Sequence, residues 1–209
     1  MKIEIWSDFA CPYCYIGEKK LEKALDELGL HNDVEISFRS FQLNEKAVRH
    51  ENVDLNTLIS KKYGISYDQA KAANQGIIQG AKEVGLNYDF DIIKPGNTGL
   101  AHEVYKYCAS LGKGQEMVDL LFSGYFEKGL DISSEEVLMD LGQQVDLARG
   151  DLERLINERT FMKAVKDDQK KAFELGISSV PFFIIDDKYT VSGAQSVANF
   201  KDVLAKARL

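Results

Sequence analysis

Long apolar segments and dense basic clusters are both missing from this chain of 209 residues. The run from Phe182 to Ile185 is among its longest apolar stretches, whereas a membrane-spanning helix needs ~20 apolar residues. We therefore expect no segment that crosses a bilayer. The net charge is -7 and the pI is about 5.1. An acidic chain without a basic patch repels phosphate backbones, which argues against a nucleic-acid partner.

Cysteine and proline are scarce, with three residues of each. A small secreted scaffold carries more cysteines, so a close pair, Cys11 and Cys14, with a distant Cys108 favours redox chemistry or metal binding over structural disulfides. A basic and then apolar leader is missing too, because residues 1–6 alternate between polar and apolar and lead directly to the pair. We therefore expect a cytoplasmic protein.

What the chain does contain is an ordinary globular balance, with 44% hydrophobic and 28% charged residues. Its first segment alternates over residues 2–6, which predicts a strand, and residues 34–39 alternate in the same way. A helix lies between them, because Leu21, Leu25 and Leu28 fall at helical spacing and Gly29 fits the position just past a helix end. Strand, helix and strand in succession favour a parallel βαβ unit.

The middle of the chain, from about Asp54 to Gly176, gives almost only helical signals. Ser66 with Gln69, and Ser133 with Glu136, have the spacing of capping boxes. The first expected helix carries the apolar stripe Ala70, Ala73, Ile77, Ala81 and Val84. The next helices carry the stripes Ala101 to Leu111 and Met117 to Phe126, then Leu138 with Leu141, and a last helix runs from about Phe161 to Leu175.

Strand signals return after the helical block. The apolar run from Phe182 to Ile185 predicts a buried strand, Asp186 and Asp187 supply turn residues, and residues 189–192 form a return strand before a final helix. We infer one α/β domain of residues 1–53 and 177–209 with a large helical insertion, residues 54–176, because neither half of the sheet could bury itself alone. The last helix of the insertion, about 161–175, is available to pack on the α/β domain.

Cys11-Pro12-Tyr13-Cys14 lies between the first strand and the first helix. Cys11 then takes the N-cap position and Pro12 the first helical position, where its missing N–H costs nothing. The free N–H groups of the first turn and the positive end of the helix dipole should point at the Cys11 sulfur, and both favour a thiolate. Cys14, one turn along, can attack a mixed disulfide on Cys11 and release the product.

Two other interpretations of the pair remain open. Half of a zinc site needs further ligands, and the remaining candidates, Cys108, His31, His50 and His102, have no ligand spacing among them. We therefore expect no metal. Two inert buried cysteines are the other interpretation, and proline at the helix start argues against it. A further element is Ser179-Val180-Pro181 before the late strand, where a proline either simply starts the strand or belongs to a cis-proline loop.

Together these features resemble the DsbA-like branch of the thioredoxin superfamily. Within it the chain is similar to FrnE-type oxidoreductases, which are grouped with 2-hydroxychromene-2-carboxylate isomerases and kappa-class glutathione transferases. The matching segments are spread from residue 7 to residue 195, and they are Ser7 to Gly17, Asn97-Thr98-x-x-Ala101-His102, Asp131-Ile132-Ser133, Gly176-Ile177-x-Ser179-Val180-Pro181-Phe182-Phe183 and Ser192-Gly193-Ala194-Gln195.

The resemblance implies a thioredoxin-like fold, βαβ then ββα, around the helical insertion. It also implies a thiol–disulfide oxidoreductase in which Cys11 is the nucleophile, Cys14 the resolving thiol and Pro181 a cis residue. Pro12 and Tyr13 would tune the site, and the Val180 backbone would bind an extended substrate by strand addition. Partners would be substrate proteins or small thiols and disulfides, and the redox group would be the cysteine pair itself, with no tightly bound cofactor.

Some residues depart from the family pattern or leave alternatives open. FrnE-type proteins often have tryptophan where Tyr13 stands, and CPYC is the glutaredoxin tetrapeptide, which keeps glutathione open as a co-substrate. The alternative function is therefore a glutathione-dependent transferase or isomerase. Asp8 and His102 are candidate residues of the active-site cleft, whereas Cys108 lies on an apolar stripe and is expected to be a buried helix cysteine. The sequence leaves the oligomeric state open.

Overall fold

The structure is a computed structural model that describes residues 1–49 and 53–208. It divides the chain into two compact units, one of residues up to Leu43 and from Lys166 onward, the other of residues Asn44–Val165. The predicted domain limits, 53/54 and 176/177, stay a prediction. None of the described helices is both long and apolar enough to cross a bilayer.

The first unit is built on a sheet with the strand order β2-β1-β3-β4 within the described residues. Its strands are β1 (Lys2–Ser7), β2 (Glu35–Ser40), β3 (Phe182–Ile185) and β4 (Tyr189–Ser192). β1 and β2 pair in parallel, as the βαβ pattern predicted, while β1 with β3 and β3 with β4 are antiparallel. Asp186 and Asp187 both have positive φ, 48° and 54°, which is the geometry of a tight hairpin turn.

The two faces of this sheet carry different helices because side chains alternate along each strand. On one face Trp6 packs with Ala172, in α8 (Met162–Glu174), and with Ile177. The other face carries Ile3, Ile5 and Phe183, and the Phe183 ring meets Phe200 edge to face at 4.9 Å. Phe200 belongs to α9 (Val197–Ala207), which packs against α1 (Pro12–Leu28).

Charged groups are buried on the Trp6 face of the sheet. Glu4 in β1 is 2% exposed, and it pairs with Arg39 and Lys171. Asp168 in α8 is also buried and accepts a hydrogen bond from the Ser40 backbone N–H at 2.8 Å. Its carboxylate also lies 3.4 Å from the Arg39 guanidinium. The network fixes α8 to the edge of β2, since a buried carboxylate needs such partners.

The second unit contains six helices among its described residues: α2 (Leu55–Tyr63), α3 (Tyr67–Lys82), α4 (Gly99–Ser110), α5 (Gly114–Phe126), α6 (Glu135–Gln144) and α7 (Arg149–Glu158). Helix α4 packs against α5, α6 and α7, and α2 packs against α3. The expected capping box at the start of α3 is present, with Ser66 and Gln69 each bonding the other's backbone. Helices α2 and α7 were not among the predicted elements.

The predicted capping box at Ser133 is wrong. α6 begins one residue later, with Ser134 as its N-cap and no side-chain capping bond. The Ser133 hydroxyl instead donates to the buried Asp131 carboxylate at 2.5 Å, and the Ser133 backbone N–H donates to the same oxygen at 3.0 Å. A buried carboxylate needs these donors more than an exposed helix end does, which explains why the hydroxyl is not used as a cap.

Candidate active site

Cys11 and Cys14 lie at the start of α1. Cys11 is the N-cap, with extended backbone (φ -94°, ψ 113°), and Pro12 opens the helix as predicted. The Cys11 N–H donates to the Asp8 carbonyl at 2.9 Å, and the Cys14 N–H donates to the Cys11 carbonyl at 3.0 Å. These bonds tie the turn after β1 directly to the first turn of the helix.

The Cys11 sulfur is directed at a backbone carbonyl. It makes no capping hydrogen bond to the N–H groups of the first helical turn, so the expectation that those groups point at the sulfur is not met as a hydrogen bond. Instead the thiol donates to the Val180 carbonyl oxygen at 3.7 Å. The side chain is 5% exposed, so it is buried but not fully closed off from solvent.

The Val180 carbonyl belongs to a loop that contacts Gly193 on one side and helix α1 on the other. The Val180–Pro181 peptide bond is cis, and the Pro181 carbonyl accepts a hydrogen bond from the Gly193 N–H at 2.8 Å. On the helix side, a β-carbon added at Gly17 would lie 3.1 Å from Pro181 Cγ and 3.2 Å from Phe183 Cζ. Only a residue without a side chain therefore lets α1 approach this loop so closely.

Cys14 is buried more deeply than Cys11, with 1% of its surface exposed. Burial raises the pKa of the Cys14 thiol well above its ordinary value, and the hydrogen bond to Cys11 and the charge of Cys11 raise it further. The Ser7 hydroxyl and the Asp8 backbone act in the opposite direction and lower this pKa. Cys14 is therefore a neutral thiol at neutral pH, and both cysteines are free.

Asp8 is buried and its carboxylate contacts the backbone, while its role as a residue of the active-site cleft stays a prediction. One carboxylate oxygen accepts from the Leu43 N–H at 2.7 Å, and the other accepts from the Ala10 N–H at 3.3 Å. The side chain thus braces the turn that carries Cys11. Tyr13, between the two cysteines, is 50% exposed and presents its ring to solvent.

The remaining candidates lie in the helical unit. His102 is buried in α4, and its role in the cleft stays a prediction. Cys108, also in α4, is fully buried, and burial raises the pKa of its thiol to about 12, so it is a buried helix cysteine as predicted. His50 lies outside the described residues.

Two residues near the cysteines were not given a role by the sequence reasoning. Ser7 and Gly17 are the first and last residues of the segment that carries the cysteine motif, and nothing in their type indicates chemistry. Alternation along β1 places Ser7 on the same face as Ile5, and hence toward α1. The sequence therefore indicates which way Ser7 faces, but it does not indicate that the Ser7 hydroxyl is buried beside the Cys14 thiol.

Comparison with known proteins supports the fold along the whole chain. A family model described as DSBA-like thioredoxin domain matches residues 2–205. The crystal structure of the probable DsbA oxidoreductase SCO1869 from Streptomyces coelicolor superimposes with a TM-score of 0.92 at 31% identity, covering 100% of this chain and 90% of that one. The uncharacterized protein YwbO of Bacillus subtilis (strain 168) is 27% identical over 207 residues, which is 98% of this chain and 94% of YwbO.

A third similar structure is a 2-hydroxychromene-2-carboxylate isomerase, with a TM-score of 0.72 at 13% identity, covering 99% of this chain and 95% of that one. At this identity the likeness concerns the fold alone. The predicted thioredoxin-like fold with a helical insertion is confirmed, and so is the predicted resemblance to DsbA-type oxidoreductases and this isomerase.

Proposed function

Because the chain belongs to the DSBA-like thioredoxin domain family, we propose that it is a thiol–disulfide oxidoreductase that cycles Cys11 and Cys14 between dithiol and disulfide. The observation that carries the proposal is the distance of 3.7 Å between the Cys11 sulfur and the Val180 carbonyl oxygen. The reactive thiol and a backbone group suited to hold an extended substrate are therefore side by side.

The reaction has two exchange steps. The Cys11 thiolate attacks one sulfur of a substrate disulfide, a bond forms between that sulfur and Cys11, and the other substrate sulfur leaves as a thiolate that takes up a proton. Cys14 then loses its proton and attacks Cys11, which forms the Cys11–Cys14 disulfide and releases the second substrate thiol. A cellular dithiol or two molecules of glutathione reduce the pair again, and the reverse sequence would oxidise a substrate.

The environments of the two sulfurs suit these separate roles. Cys11 keeps 5% of its surface exposed and lies at the positive end of α1, while burial keeps Cys14 protonated until a mixed disulfide has formed. A buried, protonated second thiol does not compete for substrate, yet it lies one helical turn from the sulfur that it must attack. Each sulfur is therefore better suited to one of the two steps.

We also propose the kind of substrate and the compartment. An extended chain whose N–H donates to the Val180 carbonyl would present its disulfide to Cys11 with little sequence preference, which favours substrate proteins or small thiols and disulfides. The scarcity of cysteines supports a cytoplasmic protein, where thiol pools would keep the pair reduced and favour the reductive direction.

The test is to equilibrate the full chain in a series of glutathione redox buffers, trap the thiols and count the modified cysteines by mass. We expect Cys11 and Cys14 to convert together as one two-electron couple, and Cys11→Ser to abolish turnover of a disulfide substrate. Cys14→Ser should stop the cycle at the mixed disulfide. Turnover that survives Cys14→Ser, with glutathione adducts in place of the intramolecular disulfide, would instead support the glutathione-dependent transferase or isomerase.

A further inference from the structure

The resolving step in the proposed cycle contains a chemical difficulty at Cys14. The thiol has to become a thiolate to attack the mixed disulfide, yet burial raises its pKa well above the ordinary value. Once Cys11 is bound in a mixed disulfide, its sulfur carries no charge, so that source of repulsion disappears while burial remains. Some group near Cys14 has to stabilise the charge that forms there.

Ser7 is the side chain in position to do so. It is the last residue of β1 and 2% exposed, and alternation puts it on the same face as Ile5, whose partner Phe183 lies against Gly17 of α1. Its hydroxyl makes no hydrogen bond of ordinary geometry within the described residues. Its interaction with Cys14 favours the charged sulfur over the thiol.

A buried hydroxyl without a fixed partner is costly in the resting state, and a partner that forms only in another state of the molecule would explain why it is kept. A donor that is idle toward the thiol and engages the thiolate stabilises the reacting state more than the resting state, and such differential binding is what accelerates a step. The backbone of Ser7 is held in place separately, because its carbonyl accepts from the Phe41 N–H at 3.0 Å. The strand end that carries the hydroxyl is thus fixed in place.

We propose that the Ser7 hydroxyl is a catalytic residue of the resolving step, in which it donates a hydrogen bond to the Cys14 sulfur as its proton leaves. The inference rests on the proposed function. The Cys14 proton passes to water, the Cys14 thiolate attacks Cys11, the Cys11–Cys14 bond forms, and the bond between Cys11 and the substrate sulfur breaks. The substrate leaves as a thiolate and takes up a proton from water.

A disulfide with a coloured leaving group, 5,5′-dithiobis(2-nitrobenzoic acid), separates the two steps. Attack by Cys11 releases a first thionitrobenzoate, and attack by Cys14 on the mixed disulfide releases a second, so rapid mixing records one phase for each cysteine. The full chain carrying Cys108→Ala serves as background, which removes the third thiol from the count.

Ser7→Ala should slow the second phase about ten- to a hundredfold, the effect of losing one hydrogen bond to a charged group, and should move its pH dependence to higher pH. The first phase should keep its rate and pH profile. Ser40→Ala is the matched control, because Ser40 is the partner of Ser7 on β2 and its hydroxyl is equally buried without a hydrogen bond of ordinary geometry in the described part of the chain. That variant should leave both phases unchanged.

An unchanged second phase in folded Ser7→Ala would overturn the proposal. If that variant does not fold, Ser7→Thr and Ser7→Val make the same comparison with side chains of equal shape, and equal second-phase rates in those two would overturn it as well. The proposed function fails in a different way, through release of only one thionitrobenzoate per molecule of the parent protein or through a release that survives Cys11→Ser.

Discussion

Replacing Gly17 by alanine tests how much the close approach of α1 to the cis-proline loop contributes to stability and to the reactivity of Cys11. In a helix interior, glycine to alanine alone stabilises by about 0.5–1 kcal/mol. At position 17 the new methyl group would lie 3.1 Å from Pro181 Cγ, 3.2 Å from Phe183 Cζ and 3.5 Å from the Ala194 Cα. The first two distances fall short of the ~3.5–4.0 Å optimum for carbon atoms.

The neighbours cannot yield cheaply. Phe183 is fully buried against Phe200, and the Pro181 carbonyl is held by the Gly193 N–H. Overpacking of a well-packed site costs ~1–3 kcal/mol. Gly76→Ala in α3 is the matched control, because nothing lies within 4 Å of the methyl group it would add. Both substitutions share the gain in helix propensity, so the difference between them isolates the steric cost.

Urea unfolding followed by circular dichroism should therefore place Gly17→Ala about 1–3 kcal/mol below Gly76→Ala in free energy of unfolding. A displaced loop should also move the Val180 carbonyl away from Cys11, which alters the rate at which Cys11 is alkylated. If Gly17→Ala proves as stable as Gly76→Ala and Cys11 reacts as before, the argument that a bare glycine sets this distance is refuted.

Three further predictions follow from buried groups. Cys108→Ala should leave the redox cycle unchanged, and iodoacetamide at neutral pH should spare Cys108 in the folded protein, as peptide mass analysis would reveal, because burial raises the pKa of its thiol to about 12. Burial raises the pKa of Glu4, but the hydrogen bond and charge of Arg39, with two lysines, outweigh it and lower that pKa below its ordinary value of 4.5. The resulting stability is present above the unfolded pKa and is lost as pH falls through the folded pKa, so Glu4→Gln should cost ~1.5–3 kcal/mol at pH 7 in urea unfolding and progressively less under acid. A cost that does not change with pH would contradict this. Asp8→Ala should lower the free energy of unfolding by ~1–3 kcal/mol, measured by the fluorescence of the single tryptophan, because the Leu43 N–H loses a buried acceptor; an unchanged midpoint would count against it.

The order of strands and helices in the sheet unit could be predicted because each local signal agreed with its neighbours. Gly29 ends α1 in the left-handed conformation, with φ of 64°, and Asp186 and Asp187 form the turn, as expected from residue type. The buried residues of the helical unit were harder to predict. The predicted stripe of α3 included Ala73, which is exposed, and missed Asn74, which is buried and donates to Asn56 at 2.7 Å. A polar pair in the interior cannot be found by apolar periodicity.

The charged segment in α8 shows a second limit of predicting burial from sequence. Residues 163–171 have the composition of a solvated helix face, and most of them are exposed, but Asp168 is buried and holds the Ser40 N–H and the Arg39 guanidinium. A charged residue is buried only where partners from distant parts of the chain meet it, and those partners are set by the fold. No window of sequence around position 168 contains them.

The central strand, β1, shows both what the sequence predicts and what it misses, because its two faces contact different helices. Glu4 and Trp6 face α8 and take part in an ionic and apolar contact that fixes the fold, while Ile5 and Ser7 face the helix that carries the cysteines. Period-two alternation alone assigns these faces from the sequence. Alternation does not reveal that the Ser7 hydroxyl lies beside the Cys14 thiol, because that contact depends on where α1 begins.

Since Cys11 is the cap and Cys14 the third helical residue, the first turn folds the second sulfur back toward the strand end. A start of α1 one residue later would rotate Cys14 by about 100° around the helix axis, and the hydroxyl would face a different side chain. The placement of Pro12 at the first helical position therefore positions the resolving thiol as well as the attacking one.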